Sequence, residues 1–178
     1  NIGWGSTWTP ISSGSLLIAY SVLFIDDTTG FIVGMSSSWD GIIMKTIDGG
    51  LTWNTFITNQ VNNCYSVYFT DSSTGYVGCD NSTVLKTTDG GNGWIPITNI
   101  STITWLTFNS ISFTDGLTGY IVGRMGYMFK TTDAGASWTQ MVSGVSSDLT
   151  SVYFTDQNTG YVCSGYDIIK TIDAGTTW

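Results

Sequence analysis

One phrase recurs along the chain at nearly fixed spacing, and it restricts the chain to a repeat architecture. Thr46-Ile47-Asp48-Gly49-Gly50-Leu51-Thr52-Trp53 returns as Thr87-Thr88-Asp89-Gly90-Gly91-Asn92-Gly93-Trp94. It returns again as Thr131-Thr132-Asp133-Ala134-Gly135-Ala136-Ser137-Trp138 and as Thr171-Ile172-Asp173-Ala174-Gly175-Thr176-Thr177-Trp178. The closing tryptophans are 41, 44 and 40 residues apart. A degenerate copy, Gly5-Ser6-Thr7-Trp8, precedes them, with Gly3 in the place of the Asp.

A second phrase precedes each copy. Ser21-Val22-Leu23-Phe24-Ile25-Asp26 matches Ser66 to Asp71, Ser110 to Asp115 and Ser151 to Asp156. Each of these aspartates is followed by two variable residues and Thr-Gly-Tyr or Thr-Gly-Phe. The alternation that puts Val22 and Phe24 on one face and Ser21 and Leu23 on the other has period 2, which is a strand. Asp-x-x-Thr-Gly is turn chemistry: the carboxylate accepts amides two residues on. A second strand follows at Tyr76-Val77-Gly78, and a third at Gly41 to Thr46 or Val84 to Thr87. The recurrent phrase then turns the chain into a fourth strand that starts at its Trp. Within the phrase, the Asp satisfies turn amides, the Thr two residues earlier braces it, the Gly permits the bend, and the Trp covers the layer between sheets with its N–H on a local acceptor.

No long apolar stripe of helical period occurs. Four short strands per ~42 residues, repeated radially, specify an all-β chain, a β-propeller of four-stranded antiparallel blades. The single domain runs 1–178, with blades at about 17–58, 61–99, 106–143 and 149–178 and an orphan outer strand at 6–12. The ring is either closed at four blades or part of a larger propeller. Unpaired strand edges at either end would favour self-association. Pro10 and Pro96 each follow a box Trp by two residues, which places them in outer strands, where a missing N–H is tolerated.

Composition narrows the chemistry. Five Lys and Arg face thirteen Asp, with no Glu and no His, for a net charge of -8. That excludes a basic nucleic-acid groove and histidine-based catalysis. No apolar run reaches a membrane span. Cys64, Cys79 and Cys163 are too few for a disulfide scaffold; Cys64 and Cys79 either pair across a hairpin or are small buried hydrophobes. The Asp-rich turns lack the dense spacing of a calcium loop, so no metal or cofactor is expected. Few Lys, no Glu and many Ser, Thr, Asn and Asp suggest an extracellular or cell-surface protein.

The recurrent phrase, S/T-x-D-x-G-x-x-W, resembles the Asp-box, or BNR repeat. With Lys45, Lys86, Lys130 and Lys170 before each box and Thr-Gly-Tyr upstream, the repeats look most like those of the photosystem II assembly factor (Ycf48-type) family, as found in secreted bacterial proteins. The resemblance covers essentially the whole chain. It implies that Thr46, Asp48, Gly50, Trp53, Thr87, Asp89, Gly91, Trp94, Thr131, Asp133, Gly135, Trp138, Thr171, Asp173, Gly175 and Trp178 are structural. Sialidases share the box but need an arginine triad and a Glu; one arginine, Arg124, and no Glu exclude that activity. The Ycf48-type family carries an arginine-rich patch, which this chain lacks.

Three readings of function follow. The first is a non-catalytic secreted or surface propeller, a structural or binding module for protein or glycan, standing alone, as an assembling subunit or as part of a larger protein. The second is a glycoside hydrolase using paired aspartates among Asp40, Asp80, Asp148 and Asp167, which lie outside the repeated turns. The third is an assembly-factor-like chaperone. Trp39, Trp105, Tyr127 and Tyr166 vary where the scaffold repeats, which marks them as the candidate partner surface. The four repeated lysines form either a cationic ring or structural stems whose heads meet a nearby Asp.

Overall fold

A computed structural model describes residues 16–59, 61–97 and 99–178. They form four antiparallel sheets. The first contains β1 (Leu16–Phe24), β2 (Gly30–Ser36), β3 (Gly41–Thr46) and β4 (Asn54–Thr58). The second contains β5 (Cys64–Phe69), β6 (Gly75–Cys79), β7 (Val84–Thr87) and β8 (Ile95–Ile97). The third contains β9 (Phe108–Phe113), β10 (Gly119–Gly123), β11 (Tyr127–Thr131) and β12 (Thr139–Val142). The fourth contains β13 (Leu149–Phe154), β14 (Gly160–Ser164) and β15 (Ile168–Thr171), three strands among the described residues. In every sheet, strands adjacent in sequence are adjacent in space. These are propeller blades. Pro96 lies in β8, an outer strand; Pro10, Trp8 and the strand expected at 6–12 lie outside the described residues.

The first strands β1, β5, β9 and β13 neighbour one another in that order and form the inner course of the arc. Strand pleating gives each blade two faces. Val67, Val77 and Leu85 of the second blade pack with Phe31, Val33 and Ile43 of the first. On the opposite face, Tyr76 and Val84 pack with Phe108, Ile111, Phe113, Ile121 and Phe129 of the third blade. A third cluster joins Tyr120, Val122 and Met128 to Leu149, Val152, Phe154 and Val162. This burial on both faces explains why β6 and β10 are buried along their whole length.

One aromatic unit recurs at each seam. The ring after Thr-Gly in one blade stacks on the Phe of the next blade's first strand: Phe31 on Phe69 at 4.3 Å, Tyr76 on Phe113 at 4.3 Å, Tyr120 on Phe154 at 3.9 Å. The box Trp of that next blade meets the Phe edge-on, Trp94, Trp138 and Trp178 lying 6.0, 6.3 and 6.0 Å away. Such a pair adds about 0.5–1.5 kcal/mol beyond the area it buries. The box glycines are needed twice here. Gly91 and Gly135 have φ of 82° and 79°. A Cβ on Gly91 would also stand 2.5 Å from the Phe31 ring, and one on Gly135 3.1 Å from Tyr76.

Two expectations are corrected at these seams. Trp53 donates its indole N–H to the Gly50 carbonyl at 3.1 Å. Among the described residues, the buried indole N–H groups of Trp94, Trp138 and Trp178 have no acceptor. Phe31 of the preceding blade meets Trp94 edge-on at 6.4 Å, and Trp138 and Trp178 pack against the clusters that contain Tyr76 and Tyr120 of the blades before them. Among the described residues, no lysine head meets an Asp. Lys86 and Lys130 donate to the carbonyls of Ala134 and Ala174 in the next blade's box, at 2.7 and 2.9 Å. Lys45 donates to the side chain of Asn92 at 2.9 Å. The same carbonyls accept from the phenols of Tyr76 and Tyr120, and burial pushes both phenols up to about 12, so each is a neutral donor.

Cys64 and Cys79 face each other across β5 and β6 as buried free thiols, their sulfurs 3.2 Å apart. Burial pushes the Cys79 thiol well above its ordinary value.

Candidate functional site

Up-and-down order within a blade divides its loops between two rims. The turns between first and second strands share one rim with the boxes, which join third to fourth strands. Backbone bonds tie them together: Gly49, Gly90, Ala134 and Ala174 donate to Thr28, Ser73, Leu117 and Asn158. The opposite rim carries the loops between second and third strands and the connections between blades. Here Gly41 donates to Val61, Ser82 to Leu106 and Arg124 to Thr107.

The box rim is closed on itself. Thr131 Oγ1 donates to Asp133 at 2.8 Å and accepts from the Gly135 amide at 2.9 Å. Asp133 also accepts from the amide and hydroxyl of Ser137 at 2.9 and 2.6 Å. Thr46 with Asp48 and Thr171 with Asp173 repeat this pattern, and Thr87 with Asp89 repeats it through the Gly93 amide. The Ser137 hydroxyl and amide hold the Asp133 carboxyl at about 2. The Thr52 hydroxyl and amide do the same for Asp48, and the Thr177 amide and hydroxyl for Asp173. Asp26, Asp71, Asp115 and Asp156 are lowered likewise by the amides two and three residues on. A general acid needs the opposite shift. These carboxylates are spent on turns.

The other rim holds the variable side chains. Trp39 in the β2–β3 loop is 67% exposed, Trp105 before β9 is 57% exposed, and Tyr166 in the β14–β15 loop is 96% exposed. Trp39, Asn81, Ser82 and Met125 adopt positive φ there, at 68°, 53°, 54° and 55°. That conformation is uncommon for side chains other than Gly and Asn, and unusual for a Trp. Tyr127 does not join this group. It is half-buried against the core between the second and third blades, where it fills space. Met125, exposed in the Arg124–Gly126 turn, belongs with the rim residues and was not expected there. Its position in the third repeat, equivalent to the loops of Trp39 and Tyr166, was the available signal. A shallow groove of about 530 Å³ runs beside it, lined by Tyr127, Gln140, Val142 and Val145.

The four aspartates outside the turns also lie on this rim. Asp80 accepts from the Asn62 amide at 3.1 Å and from the Asn63 side chain at 3.2 Å. Asp148 accepts from the Met125 amide at 2.9 Å and approaches Arg124 at 4.0 Å. Both brace a loop against the neighbouring connection. Asp40 and Asp167 belong to the first and fourth blades, at opposite ends of the arc. With Arg124 as its one basic residue, the rim is net acidic. Among the described residues no cluster of Cys or Asp forms a metal-binding set, and no helix is long and apolar enough to cross a membrane.

Comparison with known proteins places this geometry. A solved YCF48 bound to D1 peptide is 29% identical, with a TM-score of 0.60, over 65% of this chain and 39% of its own. YCF48 from Cyanidioschyzon merolae is 13% identical, with a TM-score of 0.70, over 89% of this chain and 52% of its own. An ancestral GH74 enzyme is 19% identical, with a TM-score of 0.74, over 97% of this chain and 25% of its own. This chain thus spans about half or less of the length of these relatives. No curated protein matches it. The family model described as photosynthesis system II assembly factor YCF48 matches residues 55–178. By that match, over more than half its length, the chain belongs to this BNR-repeat β-propeller family.

Proposed function

We propose that the chain is a non-catalytic binding module of the assembly-factor type, and that its loop-bearing rim holds a segment of a partner protein. The observation that carries this reading is the sorting of side chains between the rims. The Thr, Asp and Gly of each box are engaged in turns and the box side chains left exposed include the aliphatic Ile47, Leu51 and Ile172, while the exposed aromatics Trp39, Trp105 and Tyr166, with Met125, are spread along the opposite rim. Exposed aromatics beside a low density of like charge suit anchor residues of a partner. The relative bound to D1 peptide supports a peptide as the ligand class. The acidic rim favours a neutral or basic segment with apolar side chains, held by cation–π and charge contacts. A place at the cell surface or outside the cell fits the composition.

The test is a peptide array graded by net charge, with the D1 peptide included, probed with the wild-type chain and with Trp39→Ala and Trp105→Ala. Binding concentrated on basic, apolar peptides and lost in both variants is expected. Equal binding by the variants would remove the rim from the reading. The GH74 relatives lend the architecture alone, so the rival outcome is cleavage of xyloglucan with no peptide bound.

A further inference from the structure

We infer that Cys64 and Cys79 are a modification site: a disulfide oxidant converts the two thiols into a bond that staples the loop-rim ends of β5 and β6. The pair lies inside the second blade, in the core it shares with the first, and both side chains are fully buried. The bond forms whatever the loop rim binds.

Strand register brings the two side chains together. Cys64 and Cys79 are directly opposite in the antiparallel pair. The Asp80 amide donates to the Asn63 carbonyl at 3.2 Å, and the Cys79 amide donates away from β5, to the Thr83 carbonyl at 3.0 Å. Cys64 and Cys79 are therefore a non-hydrogen-bonded pair, the kind in which opposed Cα atoms come within about 4.5 Å and side chains are closest. A disulfide accepts Cα separations of about 4.4–6.8 Å, so it needs no backbone movement here. The sulfurs already lie 3.2 Å apart. Packing alone does not call for two facing thiols. The third blade fills the same register with Phe108 opposite Gly123, and the fourth with Leu149 opposite Ser164, one large apolar side chain against a small residue.

Closure takes two thiol–disulfide exchanges. One cysteine gives up its proton, and its thiolate attacks a sulfur of the oxidant's disulfide and expels the other sulfur. The second cysteine then gives up its proton, attacks the mixed disulfide and expels the remaining half. The cysteines lose two electrons and two protons, and the oxidant's disulfide becomes two thiols. Burial disfavours the Cys79 thiolate and keeps reagents from both sulfurs, so the bond forms while the chain folds rather than in the closed blade. It ties down a junction between blades. The Gly41 amide of the first blade donates to the Val61 carbonyl at 2.9 Å, and a Cβ on Gly41 would stand 3.1 Å from the Cys64 sulfur. Asp80, next to Cys79, holds the Asn62 amide and the Asn63 side chain.

The experiment refolds the full 178-residue chain from urea in oxidised glutathione, with a parallel sample in reduced glutathione. Free thiols are then counted with maleimide in denaturant. The oxidised wild type is expected to yield a linked peptide pair that holds Cys64 and Cys79. Cys163→Ser removes the third thiol. It should take two labels after reduced refolding and none after oxidised refolding, with the loss of two hydrogen atoms in mass and no glutathione added. The oxidised chain should melt about 4–16 °C above the reduced one, the span for closing a loop of this size. Cys64→Ala and Cys79→Ala should each show no such gap between their own oxidised and reduced samples. Thiols that stay free in oxidised glutathione, a glutathione adduct at Cys64 or Cys79 in place of the bond, or a bond to Cys163 overturns the inference. An oxidised chain that melts no higher than the reduced one overturns it too.

Discussion

Phe113→Ala and Phe24→Ala change the same repeat position in two blades, and the two should differ widely in effect. Phe113 is buried, stacks on Tyr76 at 4.3 Å and meets Trp138 edge-on at 6.3 Å. Removing a buried Phe costs about 3–5 kcal/mol through lost transfer and the cavity left behind. Phe24 is 44% exposed and, among the described residues, has the Trp53 edge contact as its one aromatic contact, so its loss should cost about 1–2 kcal/mol, half of a full burial. For a chain of this size each kcal/mol moves the melting midpoint by about 2–4 °C. The two variants should therefore separate by roughly 2–16 °C. Thermal unfolding followed by circular dichroism reads this directly. Midpoints that agree within about 1 °C, where at least about 2 °C is expected, would show that the seam between blades is not what holds the blades together.

Other perturbations address the boxes and the core. Thr131→Val keeps the shape but strips the Gly135 amide of its acceptor and Asp133 of a donor. It should destabilise the chain by about 1–3 kcal/mol in urea titration, and Thr131→Ser should recover most of the loss. Asp48, Asp133 and Asp173 are held at about 2 in the folded chain, below the ordinary 3.8. Their contribution is present in full above the unfolded value and is lost as pH falls from near 4 toward 2. Melting midpoints should be flat from neutral pH to about 5 and then fall; a midpoint unchanged at pH 2.5 would contradict this. Cys64 and Cys79 are buried and Cys163 is half-exposed. Maleimide should add a single label to the native chain and three after denaturation, read by mass, and multiple labelling before unfolding would misplace the thiols.

The turns and strand order were legible because their chemistry is local and repeats. Asp133, Thr131 and Gly135 reach one another within five residues, so spacing alone states their contacts. The acceptor of Lys86 was not legible, because it is a carbonyl 48 residues away in the next blade. The same reason hides the burial of the Trp138 N–H, at a seam whose cluster includes Tyr76 of the preceding blade. Variation between repeats pointed to Trp39, Trp105 and Tyr166 but not to their shared rim, which follows from the antiparallel strand order. It also pointed to Tyr127, which varies because unequal blades leave a gap to fill. Met125 went unnoticed because its exposure comes from a tight turn rather than from an aromatic side chain.

The most direct measurement is hydrogen exchange of the full chain with and without the best peptide from the array. Slowed exchange is expected in the loops that carry Trp39, Asn81, Trp105, Met125 and Tyr166, with the boxes at 46–53, 87–94, 131–138 and 171–178 unchanged. Slowed exchange confined to the boxes, with those loops unchanged, would place the partner on the opposite rim and contradict the assignment of the site.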